Sequence, residues 1–211
     1  MQSVIKGIAA LVLAATGVVA CGGGGGDGPI DPPESELTTL QVTPATATLF
    51  TAAPGNTATL AVVAKDQNGQ TMANAGTPSF SSESSAIAEV GDDGTVTAKG
   101  PGITRITASL TANGITKTAS TTVTAQVAAA NVGVTAPSLQ YQPGTVDIQA
   151  GGAVTWTFGP IHHTVTFTTA GAPESIGELE NGAASRTFPT SGSYGYRCTI
   201  HPSMIGQVHV H

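Results

Sequence analysis

The sequence predicts an all-β protein with two β-sandwich domains in tandem, preceded by a segment outside the fold. Composition is the first reason: aromatic residues make up 4% and charged residues 9%, and 27 Gly and 13 Pro interrupt stretches rich in Thr, Val, Ala and Ser. Such a composition disfavours long helices and favours short strands joined by turns. Length is the second reason, because 211 residues suffice for two small domains.

The charge pattern excludes one class of partner. The net charge is −6, and the charges are spread along the chain rather than clustered. A nucleic-acid-binding surface would be basic, so no nucleic-acid partner is expected. We interpret the acidity as a contribution to solubility and expect a monomer.

The first twenty residues have the pattern of an export signal. Lys6 precedes the apolar run GIAALVLAATGVVA, which is too short to span a membrane comfortably once its flanks are counted. The run ends in VVAC, which resembles the lipobox of bacterial lipoproteins. The resemblance implies that residues 1–20 are a lipoprotein signal peptide and that Cys21 becomes the acylated N-terminus. A plain secretory peptide cut near Ala20 is the alternative.

Residues 21–36 predict a tether. The Gly tract and the Pro-rich polar stretch in GGGGGDGPIDPPESE are typical of linkers, not of cores. In the lipoproteins that this segment resembles, aspartate after the cysteine is associated with inner-membrane retention, and Gly22 stands there instead. We therefore expect an exported protein, lipid-anchored in the bacterial cell envelope at the periplasmic face or in the outer membrane.

Residues 37–127 alternate strand patterns with turns. The stretch TATLAVVAKDQNGQTM predicts a strand, an Asn68–Gly69 turn and a return strand, and Asp93–Gly94 predicts the next turn. The motifs VTPATATL, KDQNGQ, FSSESSAIAEV, DDGTVTAKGPGITRITA and TASTTVTA resemble the bacterial Ig-like group 2 domain. This half contains neither His nor Cys, so we interpret it as a spacer. Adhesion or ligand binding is the alternative.

Residues 130–211 predict a second sandwich. The stretch TVDIQAGGAVTWTF predicts two strands around Gly151–Gly152, and HHTVTF, ASRTFPTSGSYGYRC and IGQVHVH predict the others. Six aromatic side chains are predicted to belong to its core rather than to an electron path: Tyr141, Trp156, Phe158, Phe188, Tyr194 and Tyr196.

Several polar side chains of this half are predicted to be exposed to solvent. His209 and His211 alternate with the inward-pointing valines of the last strand, so their side chains are predicted to point into solvent. The alternative is that they trap adventitious metal. Glu174, Glu178 and Glu180 are predicted to lie in a solvated loop, with an acidic docking patch as the alternative.

Cys198 has no disulfide partner, because the only other cysteine, Cys21, is predicted to carry lipid. A free thiol outside the cytoplasm is prone to oxidation, and metal ligation is a physical reason to keep it. In the strand pattern YGYRC the cysteine shares the inward parity of the two tyrosines. The turn TIHPSM then brings His201 and Met204 toward the sulfur.

A second histidine completes a ligand set. Cysteine, histidine and methionine are three of the four ligands of a mononuclear copper electron-transfer site, which needs one more imidazole. In HHTVTF, His163 shares the face of the Val and Phe side chains and points inward, whereas His162 points to solvent. The pattern therefore predicts a copper site at His163, Cys198, His201 and Met204.

The motifs YQPGTVDIQAGGAVTWTF, HHTVTF and GSYGYRCTIHPSMIGQVHV resemble cupredoxins of the plastocyanin, pseudoazurin and amicyanin group, which are Greek-key sandwiches. The Cys-x-x-His-x-x-Met spacing is similar to the short loop of amicyanins. The resemblance implies one type 1 copper ion, Cu(I)/Cu(II), with His163, Cys198 and His201 in a trigonal plane and Met204 as the weak axial ligand.

Two further expectations come with this resemblance. Thr164 stands where the family usually has an Asn that ties the ligand-bearing segments together, and we expect it to bond near Thr199. Redox partners of the related proteins dock at the exposed edge of the C-terminal histidine ligand. Here that edge would be His201 with Pro202 and the Pro160–Ile161 pair.

We expect a lipid-anchored type 1 copper protein that carries single electrons between an extracytoplasmic donor and acceptor. It is not expected to be an enzyme, because the sequence offers one candidate copper site with a filled ligand set and no separate catalytic metal constellation. Two alternatives stay open: an extracytoplasmic copper-binding or copper-delivery protein that uses the same ligands, and a surface adhesion protein led by the Ig-like half.

Overall fold

The computed structural model describes residues 34–211, and every regular element in that range is a β-strand. This confirms the predicted all-β class. The predicted signal peptide 1–20, the lipidation residue Cys21 and most of the tether 21–36 lie outside the described residues. Residues 34–211 contain no helix that is long and apolar enough to cross a membrane.

Seventeen strands follow one another in the described range. The first half holds β1 (Thr39–Thr43), β2 (Thr46–Phe50), β3 (Thr57–Thr59), β4 (Ala61–Lys65), β5 (Ser79–Ser82), β6 (Ala88–Val90), β7 (Thr95–Ala98), β8 (Gly102–Ala112) and β9 (Ile115–Gln126). The second half holds β10 (Ala129–Ser138), β11 (Gln140–Gln142), β12 (Thr145–Phe158), β13 (His163–Phe167), β14 (Ile176–Leu179), β15 (Ala183–Phe188), β16 (Gly192–Arg197) and β17 (Ile205–Val210).

The strands of the first half pair in the orders β2-β9-β8-β5, β3-β7-β6 and β1-β4. Its longest hairpin joins β8 to β9 through Asn113 and Gly114, whose φ angles are 50° and 77°. Positive φ at both central positions gives the type I′ turn that Asn-Gly favours and that matches the twist of a hairpin. Alternate residues of both strands are buried in two apolar clusters, one that includes Ile106 and Val123 and one that includes Leu110.

Both turns predicted in this half are present, but one predicted strand is not. The Asp93–Gly94 turn joins β6 to β7. The Asn68–Gly69 turn follows β4, and the predicted return strand is reduced to a single bridge between Lys65 and Thr71. The carboxylate of Asp66 accepts the backbone N–H groups of Asn68 and Gln70 in this turn, and the N–H of Met72 donates to the carbonyl of Ala64 at 3.0 Å beyond the bridge.

The second half forms one sheet with the order β11-β10-β12-β17-β16-β13-β14, and β15 pairs with β12. The two strands predicted around Gly151–Gly152 are one continuous strand, β12. Residues 145–148 pair with β17, and the remainder pairs mainly with β10 and β15. A Cβ at Gly152 would lie 2.5 Å from the carbonyl oxygen of Ala130, so only glycine allows this close approach of the backbones.

All six aromatic residues predicted as core are buried, with exposures of 6% or less. The rings of Trp156 and Tyr196 meet edge to face, with centroids 5.3 Å apart, within the apolar cluster of buried residues between 134 and 210. Gly206 provides the room for this arrangement, because a Cβ there would lie 2.5 Å from the Tyr196 hydroxyl oxygen. The position of the Tyr196 ring therefore requires glycine at this place in β17.

Two expectations about polar residues are wrong. His211 is 7% exposed rather than solvated: its ring stacks on Phe50 with centroids 3.7 Å apart, and its Nε2 lies 2.7 Å from Oδ1 of Asp147. The reason is that the β2–β3 connection packs against the end of β17. Glu178 lies in strand β14 rather than in a loop, with its Oε1 2.9 Å from Nδ1 of His162.

Candidate metal centre

Strands β13 and β16 bring His163 close to the loop that contains Cys198, His201 and Met204. They pair antiparallel, with Thr166 opposite Arg197, so the start of β13 and the end of β16 lie at the same end of the sheet. Strand β16 also pairs with β17, and Arg197 lies opposite Ile205. The loop 198–204 is therefore a closed connection beside His163.

Cys198 begins this loop and is fully buried. Among the described residues it is the free cysteine. Its backbone N–H donates to the carbonyl of Met204 at 2.9 Å, and the N–H of Met204 donates to the carbonyl of His201 at 2.9 Å. These two bonds fix the first, fourth and seventh residues of the Cys-x-x-His-x-x-Met motif relative to one another.

His163 and His162 lie on opposite faces of the strand, as predicted from parity. His163 is fully buried, and its Nδ1 lies 4.0 Å from Sγ of Cys198. Burial lowers the pKa of His163, and the neighbouring His201 and His162 lower it further, which favours the neutral imidazole that binds metals. His162 is exposed and pairs with Glu178 and with Glu180, whose Oε2 lies 3.0 Å from its Nε2.

His201 supplies the second imidazole and is half-buried. Its Nδ1 lies 3.6 Å from Sγ of Cys198, and its ring centroid is 5.0 Å from that of His163. The candidate ligand atoms of these three residues all lie within 4.8 Å of one another.

This spacing fits a metal ion. With bonds of about 2.0–2.1 Å to imidazole nitrogen and about 2.3 Å to thiolate sulfur, as at zinc, a trigonal angle separates N from S by about 3.8 Å. The two observed separations, 3.6 and 4.0 Å, lie on either side of that value. Two imidazoles and one thiolate in such a triangle are the equatorial donor set of a blue-copper site.

Met204 closes the loop, and its side chain is 1% exposed within the main apolar cluster of the second half. It also lines a surface cavity together with Tyr141, Ser203 and Ile205. The sequence predicted that Met204 approaches the sulfur of Cys198. Its backbone carbonyl accepts the backbone N–H of Cys198, and its side chain is buried beside this loop; the approach of its sulfur to Sγ of Cys198 stays a prediction.

Thr164 ties the two ligand-bearing segments together, as expected from its place in the sequence. Its Oγ1 accepts the backbone N–H of Thr199 at 2.9 Å and lies 3.1 Å from the Thr199 hydroxyl. Its own backbone N–H points at Sγ of Cys198, 3.4 Å away. A single threonine thus carries out the bridging expected of the asparagine in the resembled family.

One polar contact of this region was not predicted from the sequence. Tyr141 was predicted only as a core ring, yet its hydroxyl donates to the carbonyl oxygen of Thr164 at 2.5 Å. The available signal was the residue type, because a buried tyrosine usually has a hydrogen-bond partner for its hydroxyl group.

Residues 128–211 match the family of copper-binding proteins described as the plastocyanin/azurin family. This domain is a cupredoxin. Among solved structures, the chain is similar to the reduced Cu(I) form of a proline-to-glycine mutant of amicyanin, with 30% identity, 40% of this chain and 86% of that chain covered, and a TM-score of 0.36. An oxidized methionine-to-lysine mutant of amicyanin has 29% identity, the same coverages and the same TM-score. No curated protein matches the chain.

The match of residues 128–211 to the cupredoxin family confirms several predictions. This family, together with the His-Cys-His grouping, supports one type 1 copper ion as the cofactor. Cupredoxins are electron-transfer proteins rather than enzymes, so the prediction that the chain is not an enzyme also holds. The Ig-like resemblance of residues 37–127 stays a prediction.

Proposed function

We propose that this chain is a lipid-anchored type 1 copper protein that carries single electrons between an extracytoplasmic donor and acceptor. The observation that supports it most is the buried thiol of Cys198, which has the Nδ1 atoms of His201 and His163 at 3.6 and 4.0 Å. A fully buried thiol with two imidazole nitrogens directed at it is an unusual arrangement for a core cysteine and a suitable one for a metal ligand.

Each residue of the proposed set has its own role. His163, Cys198, His201 and Met204 would hold the ion, the first three with donor atoms that lie within 4.8 Å of one another. Soft sulfur donors suit Cu(I), imidazoles with a thiolate suit Cu(II), and copper in such a mixed set gains or loses one electron. The chain's contribution is rigidity, because the hydrogen bonds of the 198–204 loop and of Thr164 hold the donors in one arrangement.

His201 is the proposed point of contact with redox partners. It is the only imidazole of the proposed set that is partly exposed, and its neighbours Ile200 and Pro202 are exposed as well. Ile161 is also exposed, at 37%. An apolar rim of this kind fits a small, transient interface, which suits a carrier that must release each partner after one electron.

The N-terminal residues supply the proposed location. Acylation of Cys21 would anchor the chain in the cell envelope, and the Gly- and Pro-rich tether would separate the anchor from the fold. We propose that residues 37–127 act as a spacer between the tether and the cupredoxin domain.

An optical titration with Cu(II) tests this proposal on the full chain carrying Cys21→Ser, in which Cys198 is the only cysteine. The expected result is an intense blue thiolate-to-copper band at one copper per chain. Cys198→Ala and His163→Ala should abolish the band, and His162→Ala, the matched control on the opposite face of the strand, should keep it. A pale complex, or a band that survives Cys198→Ala, would overturn the proposal.

A further inference from the structure

The hydroxyl group of Tyr141 is not used by the proposed ligand set. Tyr141 is the middle residue of β11, is 3% exposed, and packs edge to face on Tyr196 with centroids 4.8 Å apart. A phenylalanine would pack in the same way, so the packing does not explain the hydroxyl. What the hydroxyl adds is the 2.5 Å bond to the carbonyl oxygen of Thr164.

This bond completes a clamp around Thr164, which is itself only 8% exposed. Tyr141 holds the carbonyl group, and the backbone N–H of Thr199 holds Oγ1 at 2.9 Å. With both of these groups held, the remaining polar group of the residue, its backbone N–H, is aimed at Sγ of Cys198 at 3.4 Å. The clamp thus controls the approach of a hydrogen-bond donor to the sulfur.

Hydrogen bonding around the cysteine sulfur is one of the factors that tune the reduction potential of a blue-copper site. A donor directed at the sulfur stabilises the more negative, reduced form of the centre. On the basis of the proposed function, we propose that Tyr141 is a positioning residue that sets the reduction potential by holding the Thr164 N–H on the sulfur of Cys198.

Tyr141→Phe is the informative substitution. Tyr141 also lines the cavity beside Met204, and phenylalanine keeps the ring there while removing only the hydroxyl. Tyr194→Phe is the matched control. Tyr194 is 6% exposed, and its hydroxyl likewise donates to a backbone carbonyl, that of Thr190 at 3.0 Å, but this carbonyl lies in the β15–β16 turn and not beside Cys198.

The test uses the full Cys21→Ser chain with each tyrosine variant. In the copper-loaded form, Tyr141→Phe should lower the reduction potential and shift the thiolate-to-copper band. In the metal-free form, amide hydrogen exchange at Thr164 should become roughly twofold to tenfold faster, as expected for the loss of one supporting hydrogen bond. Tyr194→Phe should leave all three quantities unchanged.

Two results would overturn the positioning role. The first is a Tyr141→Phe variant whose reduction potential and thiolate-to-copper band are unchanged. The second is equal changes in both tyrosine variants, which would indicate a general effect on packing. Failure of the proposed function looks different. In that case the chain with both tyrosines intact would form no thiolate-to-copper band, and the role of Tyr141, which rests on that function, would fail with it.

Discussion

Oγ1 of Thr164 accepts the backbone N–H of Thr199 at 2.9 Å and so links the strand of His163 to the loop of Cys198. Thr164→Val keeps the shape of the side chain and removes this acceptor. We expect the free energy of unfolding to fall by about 1–3 kcal/mol, because a partly buried donor loses its partner. Urea unfolding of the metal-free chain measures this.

The control for that substitution is Thr199→Val, which removes only the contact between the two hydroxyl groups and leaves the backbone bond in place. Thr199 is exposed, so the loss should be smaller than for Thr164→Val. Equal losses in the two variants would contradict the assignment of the link to the backbone N–H.

Gly206 should not tolerate a methyl group. In Gly206→Ala the new Cβ would lie 2.5 Å from the hydroxyl oxygen of Tyr196, in the centre of the aromatic core. Overpacking of this kind costs about 1–3 kcal/mol, which thermal unfolding measures. Gly133→Ala is the control, because nothing lies within 4 Å of a Cβ at this strand position, and its stability should be unchanged or slightly higher. Equal stability of the two variants would refute the packing argument.

The sequence predicted the grouping of His163, Cys198 and His201 because the information for it is local. Alternation along β13 decides between His162 and His163, and the short spacing from Cys198 to Met204 leaves the loop few arrangements. The bond from Tyr141 to the carbonyl of Thr164 was not predictable in the same way, since it joins residues 23 positions apart on strands whose proximity depends on the whole sheet.

Long-range packing also explains the errors. His211 has outward parity in β17, but residues 50–54 cover that face, and no pattern within the last strand could indicate this. The segment of Glu178 has little apolar alternation, yet its backbone pairs with β13. In the first half, the turn after β4 was predicted correctly, and the return segment beyond it pairs with β4 only through the Lys65–Thr71 bridge and its flanking backbone bonds.

His211 should contribute to stability, and His209 should not. The Nε2 atom of His211 lies 2.7 Å from Asp147, its Nδ1 faces the carbonyl oxygen of Pro54, and its ring stacks on Phe50. Loss of a hydrogen bond to a charged group and of a ring contact predicts that His211→Ala lowers the free energy of unfolding by about 1–3 kcal/mol.

Calorimetry of both histidine variants checks this. His209 lies 3.6 Å from the same carboxylate but is 34% exposed, so His209→Ala should change stability by less than about 1 kcal/mol. A His211→Ala chain as stable as His209→Ala would show that the contact with residues 50–54 does not stabilise the fold.

Stability should decrease at alkaline pH because of two buried tyrosines. Burial raises the pKa of Tyr196 to about 12 and raises that of Tyr141 as well. In the unfolded chain a tyrosine loses its proton near pH 10, so between about pH 10 and 12 the unfolded chain binds fewer protons and the free energy of unfolding falls as pH rises. The contribution of Tyr196 is up to about 2–3 kcal/mol.

Urea unfolding of the metal-free chain at pH 9 and at pH 11.5 measures this loss. Tyr196→Phe removes one of the two groups, so its stability should fall less steeply over the same interval. An identical pH dependence in both chains would be evidence that Tyr196 is not protected from ionisation in the fold.

The most direct test of one-electron transport is a spectroelectrochemical titration of the copper-loaded Cys21→Ser chain. For an electron carrier, the blue band should bleach and return in a single reversible wave of one electron per copper, with the copper retained through repeated cycles. Retention follows from the buried His163, Cys198 and Met204 and from the hydrogen-bonded loop that holds them. Release of copper upon reduction, or a band that does not return, would contradict electron carriage and favour copper delivery.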